Sequence, residues 1–281
     1  MSYRKRHIKS KIHKTRPRKS IFKRIWFWII ILSLIFVFAT FYLFIFYSGI
    51  QVKNIIISGN QKADIQNIQS LVSENINIRL LKIGSFSINS KSIFLINTGS
   101  LDKKILNNFP IIESVQTQRK FFQTIEVQIK ERVPVAVFCP QSENCYSIDA
   151  KGIIFEPLSE NPQGTIIVFG FAHKQFFAGE QAVSQNTMNL FLKAEKNLKD
   201  NFQIDIKKAV ITSPARMNIT TSEGWQAYFD LDLQSNADSQ IAKLNLTLNQ
   251  GVTADERKNL RYINLIPKDK AIICDNSACG Q

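Results

Sequence analysis

The pattern of apolar and polar positions changes period three times along the chain. From Ile25 to Tyr47 it has no period: IWFWIIILSLIFVFATFYLFIFY runs for 23 residues without a charge or a polar face. At about 1.5 Å rise per residue such a helix is roughly 34 Å long, enough to cross a hydrocarbon core of about 30 Å with some tilt. Trp26 and Trp28 near one end, and Tyr42 and Tyr47 near the other, stand where aromatic rings meet lipid headgroups. The rival is a cleaved signal peptide, whose apolar part would be about 7–15 residues before a small-x-small site. Here the run is longer and ends in Phe46-Tyr47-Ser48. No later stretch offers a second span.

Between residues 50 and 131 short periods of two and 3.6 alternate. Val52–Ile57 is β-branched and stops at the turn pair Gly59-Asn60, which predicts a strand. Asp64 is placed to cap a helix in which Ile65, Ile68, Leu71 and Val72 share a face. Residues 76–99, rich in Asn, Ser and Ile, read as a loop with one short extended piece. Ser100 is a second N-cap candidate, for a helix over Leu101–Phe109 that Pro110 ends. Strands follow at Ile111–Arg119 and Thr124–Glu131. In the second, Ile125, Val127 and Ile129 alternate with Glu126, Gln128 and Lys130, so one face packs and the other is wet. The order is β-α-α-β-β, with both helices expected on the apolar face.

From 132 to 275 short strands are punctuated by turns. They are expected at Val135–Phe138, Tyr146–Ile148, Ile153–Phe155, Thr165–Phe169, Ile204–Ile211, Met217–Thr221, Trp225–Leu231, Tyr262–Ile266 and Ala271–Cys274. Helices are expected over Val183–Phe202, with Met188, Phe191, Leu192 and Leu198 inward, and from a Ser235 cap to Asn249, stopped by Gly251. The fold class is α+β: a single transmembrane helix, the β-α-α-β-β unit, and a mainly antiparallel, strand-rich second domain with helices. The expected boundaries are a basic tail 1–24, a span 25–47, a first domain 50–131, a second 132–275 and a tail 276–281.

Charge sharpens this picture. The formal net charge of +14 suggests nucleic acid until its distribution is read. Residues 1–24 hold eleven of the 36 Lys and Arg, and the first acidic residue is Asp64. The rest carries 25 cations against 22 acids, so the body is near neutral and nucleic acid is not an expected partner. Cations before the span and only Lys53 closely after it place the N-terminus in the cytoplasm and the C-terminal body outside. The tail then serves topology and contact with anionic lipid. Cys139, Cys145, Cys274 and Cys279 lie in the outer part, where two local disulfides are allowed; free thiols or a zinc site are the alternatives.

Candidate catalytic chemistry is sparse. His7 and His13 fall in the tail, leaving His173 beside Lys174, a pattern of surface residues. Ser100-x-x-Lys103 matches one motif of penicillin-binding enzymes without the companions that complete it. No phosphate-binding glycine loop or His-Glu-x-x-His is present. The expectation is no enzyme, no cofactor and no metal.

In order and spacing these segments resemble the FtsQ/DivIB family of bacterial cell-division proteins. The closest local likeness is Asn107–Val137, NNFPIIESVQTQRKFFQTIEVQIKERVPVAV, ending in Glu131, Arg132 and Pro134 of a Glu-Arg-x-Pro element. Val52–Asn60, the hairpin Tyr146–Phe155, Glu223-Gly224-Trp225 and Leu260–Leu265 are similar to further family segments. Asn264 and Ile266 depart from the Asp and Arg usual in the closing strand, and the 76–99 connection is longer than usual. The resemblance implies that the β-α-α-β-β unit is a POTRA domain. It also implies a non-catalytic divisome scaffold at the division septum. That scaffold binds bitopic coiled-coil proteins of FtsB/FtsL type and helps recruit and regulate the septal peptidoglycan synthase. By analogy the partner contact falls on the closing strands, at Tyr262, Ile263, Ala271, Ile272 and Ile273. The alternative is a membrane-anchored POTRA-like docking module for secretion or envelope assembly.

Overall fold

The computed structural model describes residues 24–120, 123–140, 145–158, 164–170, 175–232 and 236–275. These fall into two compact units: residues up to 53 with 76–96 and 123 form one, and 54–75, 97–120 and 124 onward form the other.

The first unit begins with helix α1 (Ile25–Phe46), 22 residues whose side chains are almost all exposed, followed by a single 3-10 turn at Ser48–Ile50. α1 is a candidate membrane span by length and composition. The unit's second part corrects the expectation for 76–99: the segment is not a loop but a hairpin of β2 (Ile78–Ile83) and β3 (Phe86–Ser90). Its period is obscured because most of its side chains are exposed on both faces, so burial imposes no alternation. The chain after β3 closes the end of α1. The Ser90 hydroxyl donates to the Ile45 carbonyl at 2.7 Å, the Ser92 hydroxyl to the Phe44 carbonyl at 2.8 Å, and Gln51 Nε2 to Ile45 at 2.6 Å. The last carbonyls of a helix lack intrahelical partners, and here side chains supply them.

The second unit opens with β1 (Asn54–Ser58), helices α2 (Ile65–Ile76) and α3 (Thr98–Asn108), then β4 (Ile112–Lys120) and β5 (Thr124–Glu131). β5 is central, parallel to β1 and antiparallel to β4. Its alternation is the expected one: Ile125, Val127 and Ile129 are buried, as are Ile68, Val72, Leu101 and Ile105 of the two helices. Asp64 caps α2, its Oδ1 accepting from Gln66 N at 2.8 Å. The second cap differs from expectation. Asn97, not Ser100, caps α3, accepting from the Ser100 N–H at 3.0 Å; Ser100 is already in the first turn. Asn and Ser cap about equally well, so residue type alone does not choose between them.

The remainder is built on one sheet, in the order β14-β13-β12-β11-β10-β9-β6-β7-β8 among the described residues. Its strands are β6 (Ala136–Pro140), β7 (Cys145–Ile148), β8 (Ile154–Leu158), β9 (Ile166–Phe169), β10 (Ile206–Ser213), β11 (Arg216–Thr221), β12 (Gln226–Asp230), β13 (Leu260–Asn264) and β14 (Ile272–Asp275). Most neighbours are antiparallel, but β9 is parallel to both β6 and β10, and β12 is parallel to β13. Parallel neighbours need a crossover, and helices provide two: α4 (Gln185–Phe202) between β9 and β10, and α5 (Ala237–Leu246) between β12 and β13. Met188, Phe191 and Leu198 of α4 and Leu244 of α5 join Phe138, Ile154, Trp225 and Phe229 in one core. Asn236 caps α5, accepting from Asp238 N at 2.9 Å. Ser235, expected as the cap, lies outside the described residues, as do the 1–23 tail, His173 and Cys279.

Candidate partner-binding surface

Three sets of contacts brace this part of the fold; the first lies toward the β7–β8 end of the sheet, and the other two beside the closing strands. The first is the Glu131–Arg132 pair, which leaves β5 in opposite directions. Glu131 turns back: Oε1 accepts the N–H groups of Gln61 at 2.6 Å, Lys62 at 3.0 Å and Ala63 at 2.8 Å, in the turn before α2. Burial opposes its charge, but the three donors together outweigh that and hold the carboxyl below its ordinary range. Gly59 permits this turn. It has φ +85°, and a Cβ there would fall 2.0 Å from the Ile129 carbonyl oxygen. Arg132 turns forward: Nε donates to the Pro110 carbonyl at 2.9 Å and Nη1 meets Asp149 Oδ2 at 2.5 Å. Asp149 Oδ1 also accepts from the N–H groups of Lys151 and Ile153, both at 2.9 Å. A nearly buried Arg–Asp pair thereby ties the end of α3 to the β7–β8 turn. Beside it Glu113 of β4 meets Lys130 at 2.8 Å and Lys151 at 2.9 Å, which lowers its pKa to about 2.

The second set centres on Lys243 of α5. Its ammonium donates to the carbonyls of Leu265 and Pro267, both at 2.6 Å, pinning the chain between β13 and β14. Burial pushes its pKa down, against the pull of Asp230 and Asp269. The third is a ring stack: Tyr262 lies on Tyr228 with centroids 4.8 Å apart, and the Arg216 guanidinium lies 4.2 Å from the Tyr228 centroid.

On this support β14 is the terminal strand among the described residues. It pairs antiparallel with β13, with Ile273 opposite Ile263 and Ile272 opposite Asn264. The five residues singled out from the sequence are therefore neighbours but not equals. Ile263 is fully buried, Tyr262 is occupied by its stack, and Ala271 packs against the core. Ile272 and Ile273 are 41% and 39% exposed, large apolar side chains at a sheet edge. Beside them runs a groove of about 440 Å³ lined by Gly251, Val252, Glu256, Asn259, Leu260, Ile273 and Asp275. Sequence reasoning missed this groove. Gly251 was legible only as a helix stop, although a Cβ there would approach Ile273 Cδ1 to 3.3 Å. On the groove wall Glu256 Oε2 accepts from the backbone and hydroxyl of Thr253 at 2.7 and 2.8 Å, which lowers its pKa. Of the cysteines, Cys139 and Cys145 are joined in a disulfide between β6 and β7, and Cys274 on β14 is buried and disulfide-bonded.

Among the described residues the chain consists of one long apolar helix, a β-α-α-β-β unit and a nine-stranded sheet that ends in β14. Residues 80–132 match the family model described as POTRA domain, FtsQ-type. The matched segment runs from β2 through α3 to the end of β5. Residues 80–132 are thus similar to an FtsQ-type POTRA domain, and the match supports assignment to the FtsQ/DivIB family and to division-related protein-interaction scaffolds. No curated protein matches the chain.

Proposed function

We propose that this chain is a non-catalytic scaffold of the divisome. In this reading α1 crosses the plasma membrane with residues 1–24 in the cytoplasm and the folded part outside. The POTRA domain covers 50–131 and a C-terminal β domain 132–275. The protein binds bitopic coiled-coil division proteins of FtsB/FtsL type, and through them helps recruit and regulate septal peptidoglycan synthesis.

The observation that carries the reading is the edge of β14. A terminal strand presents a row of backbone N–H and C=O groups that an extended partner segment completes, while side-chain pockets supply selectivity. Ile272 and Ile273 add apolar area to that edge, and the groove beside Ile273 can receive a partner side chain. The FtsQ-type POTRA match supports the division context.

Two substitutions test the contact. Ile272→Pro removes a backbone donor from the strand, and Ile273→Lys places a charge beside the groove while leaving every backbone group in place. Each is expected to weaken binding of the FtsB-like partner by about tenfold or more, the scale of an interface hot spot. Unchanged affinity in both variants, with the domain folded by circular dichroism, puts the contact elsewhere.

A further inference from the structure

The β2–β3 hairpin and the turn after it belong to the compact unit that contains α1. They are built onto α1. Besides the Ser90 and Ser92 hydroxyls on its last carbonyls, Val52 N donates to the Lys91 carbonyl at 2.9 Å and Ile93 N to the Ile50 carbonyl at 3.0 Å. The Phe94 ring lies 5.3 Å from that of Phe44, in the last turns of α1. The segment is thereby fixed at the C-terminal end of the helix, the level at which a span of this length reaches the headgroups.

Its surface suits that level and does not suit water. Leu80, Leu81, Phe86, Phe94 and Leu95 are exposed, Phe86 by 65%. A shallow hollow of about 320 Å³ is lined by Leu43, Phe44, Tyr47, Ile50 and Phe94, all with apolar or aromatic side chains. Between these apolar residues stand the exposed cations Arg79, Lys82 and Lys91, and from Asn75 to Leu101 there is no Asp or Glu. Apolar side chains that enter the acyl boundary, with cations left to meet phosphates, are the makings of an interfacial element.

We propose that the β2–β3 hairpin and residues 91–96 are a second membrane anchor. They lie in the headgroup region of the bilayer that α1 crosses and bind anionic phospholipid, which fixes α1 and the adjoining chain to the outer leaflet. The proposal rests on the reading of α1 as a span.

The test uses the full chain reconstituted in vesicles of phosphatidylcholine and phosphatidylglycerol. The phosphatidylcholine carries bromine either near the headgroup or near the chain end, and tryptophan emission is read. In the parent, Trp26 and Trp28 report on α1, while Trp225 is buried in the sheet core and serves as the unquenched control. In a Trp26→Phe, Trp28→Phe background, Phe86→Trp and, separately, Phe94→Trp report on the hairpin. Both introduced indoles are expected to be quenched more by headgroup-side bromine than by chain-end bromine, and less when phosphatidylglycerol is omitted. Quenching of Trp26 and Trp28 with none at either introduced indole overturns the proposal and leaves the span; the apolar face then belongs to a protein partner. Absence of quenching at Trp26 and Trp28 overturns the span itself, and the second anchor with it.

Discussion

At the scale of single residues, Glu113 is a strongly perturbed acid among the described residues and gives a clear pH dependence. Lys130 and Lys151 hydrogen-bond its carboxylate and bring its pKa to about 2. A group whose pKa is depressed on folding stabilises the protein above its unfolded value and loses that contribution as pH falls through its folded one. Glu113 should therefore contribute fully above about pH 5, since an unfolded Glu titrates near ~4.3, and lose its contribution by about pH 2. Lys130 and Lys151 are 68% and 53% exposed, so the pairs are screened and the contribution is about 1 kcal/mol rather than the full value of the shift. Glu113→Gln should lower the unfolding free energy by that amount at pH 7 in urea titrations, with the gap closing toward pH 2. A gap independent of pH would assign the loss to packing. None of this was legible in the sequence, because Glu113, Lys130 and Lys151 come from two strands and a later turn.

At the scale of elements, legibility followed how strongly burial constrains the period. Thr124–Glu131 was read to its ends because Ile125, Val127 and Ile129 face a core while Gln128 and Lys130 face water. α4 was legible for the same reason, through its buried stripe, and α1 for a different one, the length of a run that is apolar all round. The β2–β3 hairpin was not, since most of its described side chains are exposed and burial imposes no period of two. Of the closing strands, the order of segments located β13 and β14. What it could not show was which side chains turn inward, because that depends on register against β12. The Glu-Arg-x-Pro element was visible as a motif without a role, and the structure supplies one. Arg132 joins α3 to the β7–β8 turn through Pro110 and Asp149, with side-chain exposures of 11% and 6% for the ion pair. Removing one partner of a buried pair leaves the other charge unmatched, which typically costs about 3–5 kcal/mol. Arg132→Ala should fall at the low end, about 3 kcal/mol, because Asp149 keeps two backbone donors. Asp149→Asn should cost less than Arg132→Ala, as the amide oxygen can still accept. Chemical denaturation of the folded region checks the order of the two; a cost under about 1 kcal/mol for Arg132→Ala would reduce the pair to surface strength.

At the scale of the whole molecule, charge and hydrophobicity are segregated along the chain in a way that fits one task. Eleven cations precede α1, while the rest of the chain is close to neutral. Each Lys or Arg near an anionic leaflet is worth about 1 kcal/mol, so in the proposed reading the tail favours the cytoplasmic side of a single span. In that reading the folded part lies where wall synthesis takes place, and a scaffold held there would offer an edge more than a pocket to react in. Among the described residues β14, with Ile272 and Ile273, ends the sheet and is the candidate for that edge. If the division reading holds, location follows the division cycle: a fluorescent protein fused to the N-terminus should be spread along the envelope early and concentrate at the septum during constriction. A module for secretion or envelope assembly would have no reason to follow constriction. Uniform labelling through constriction, with the fusion intact and membrane-bound on fractionation, would count against the divisome and leave the anchored interaction module standing.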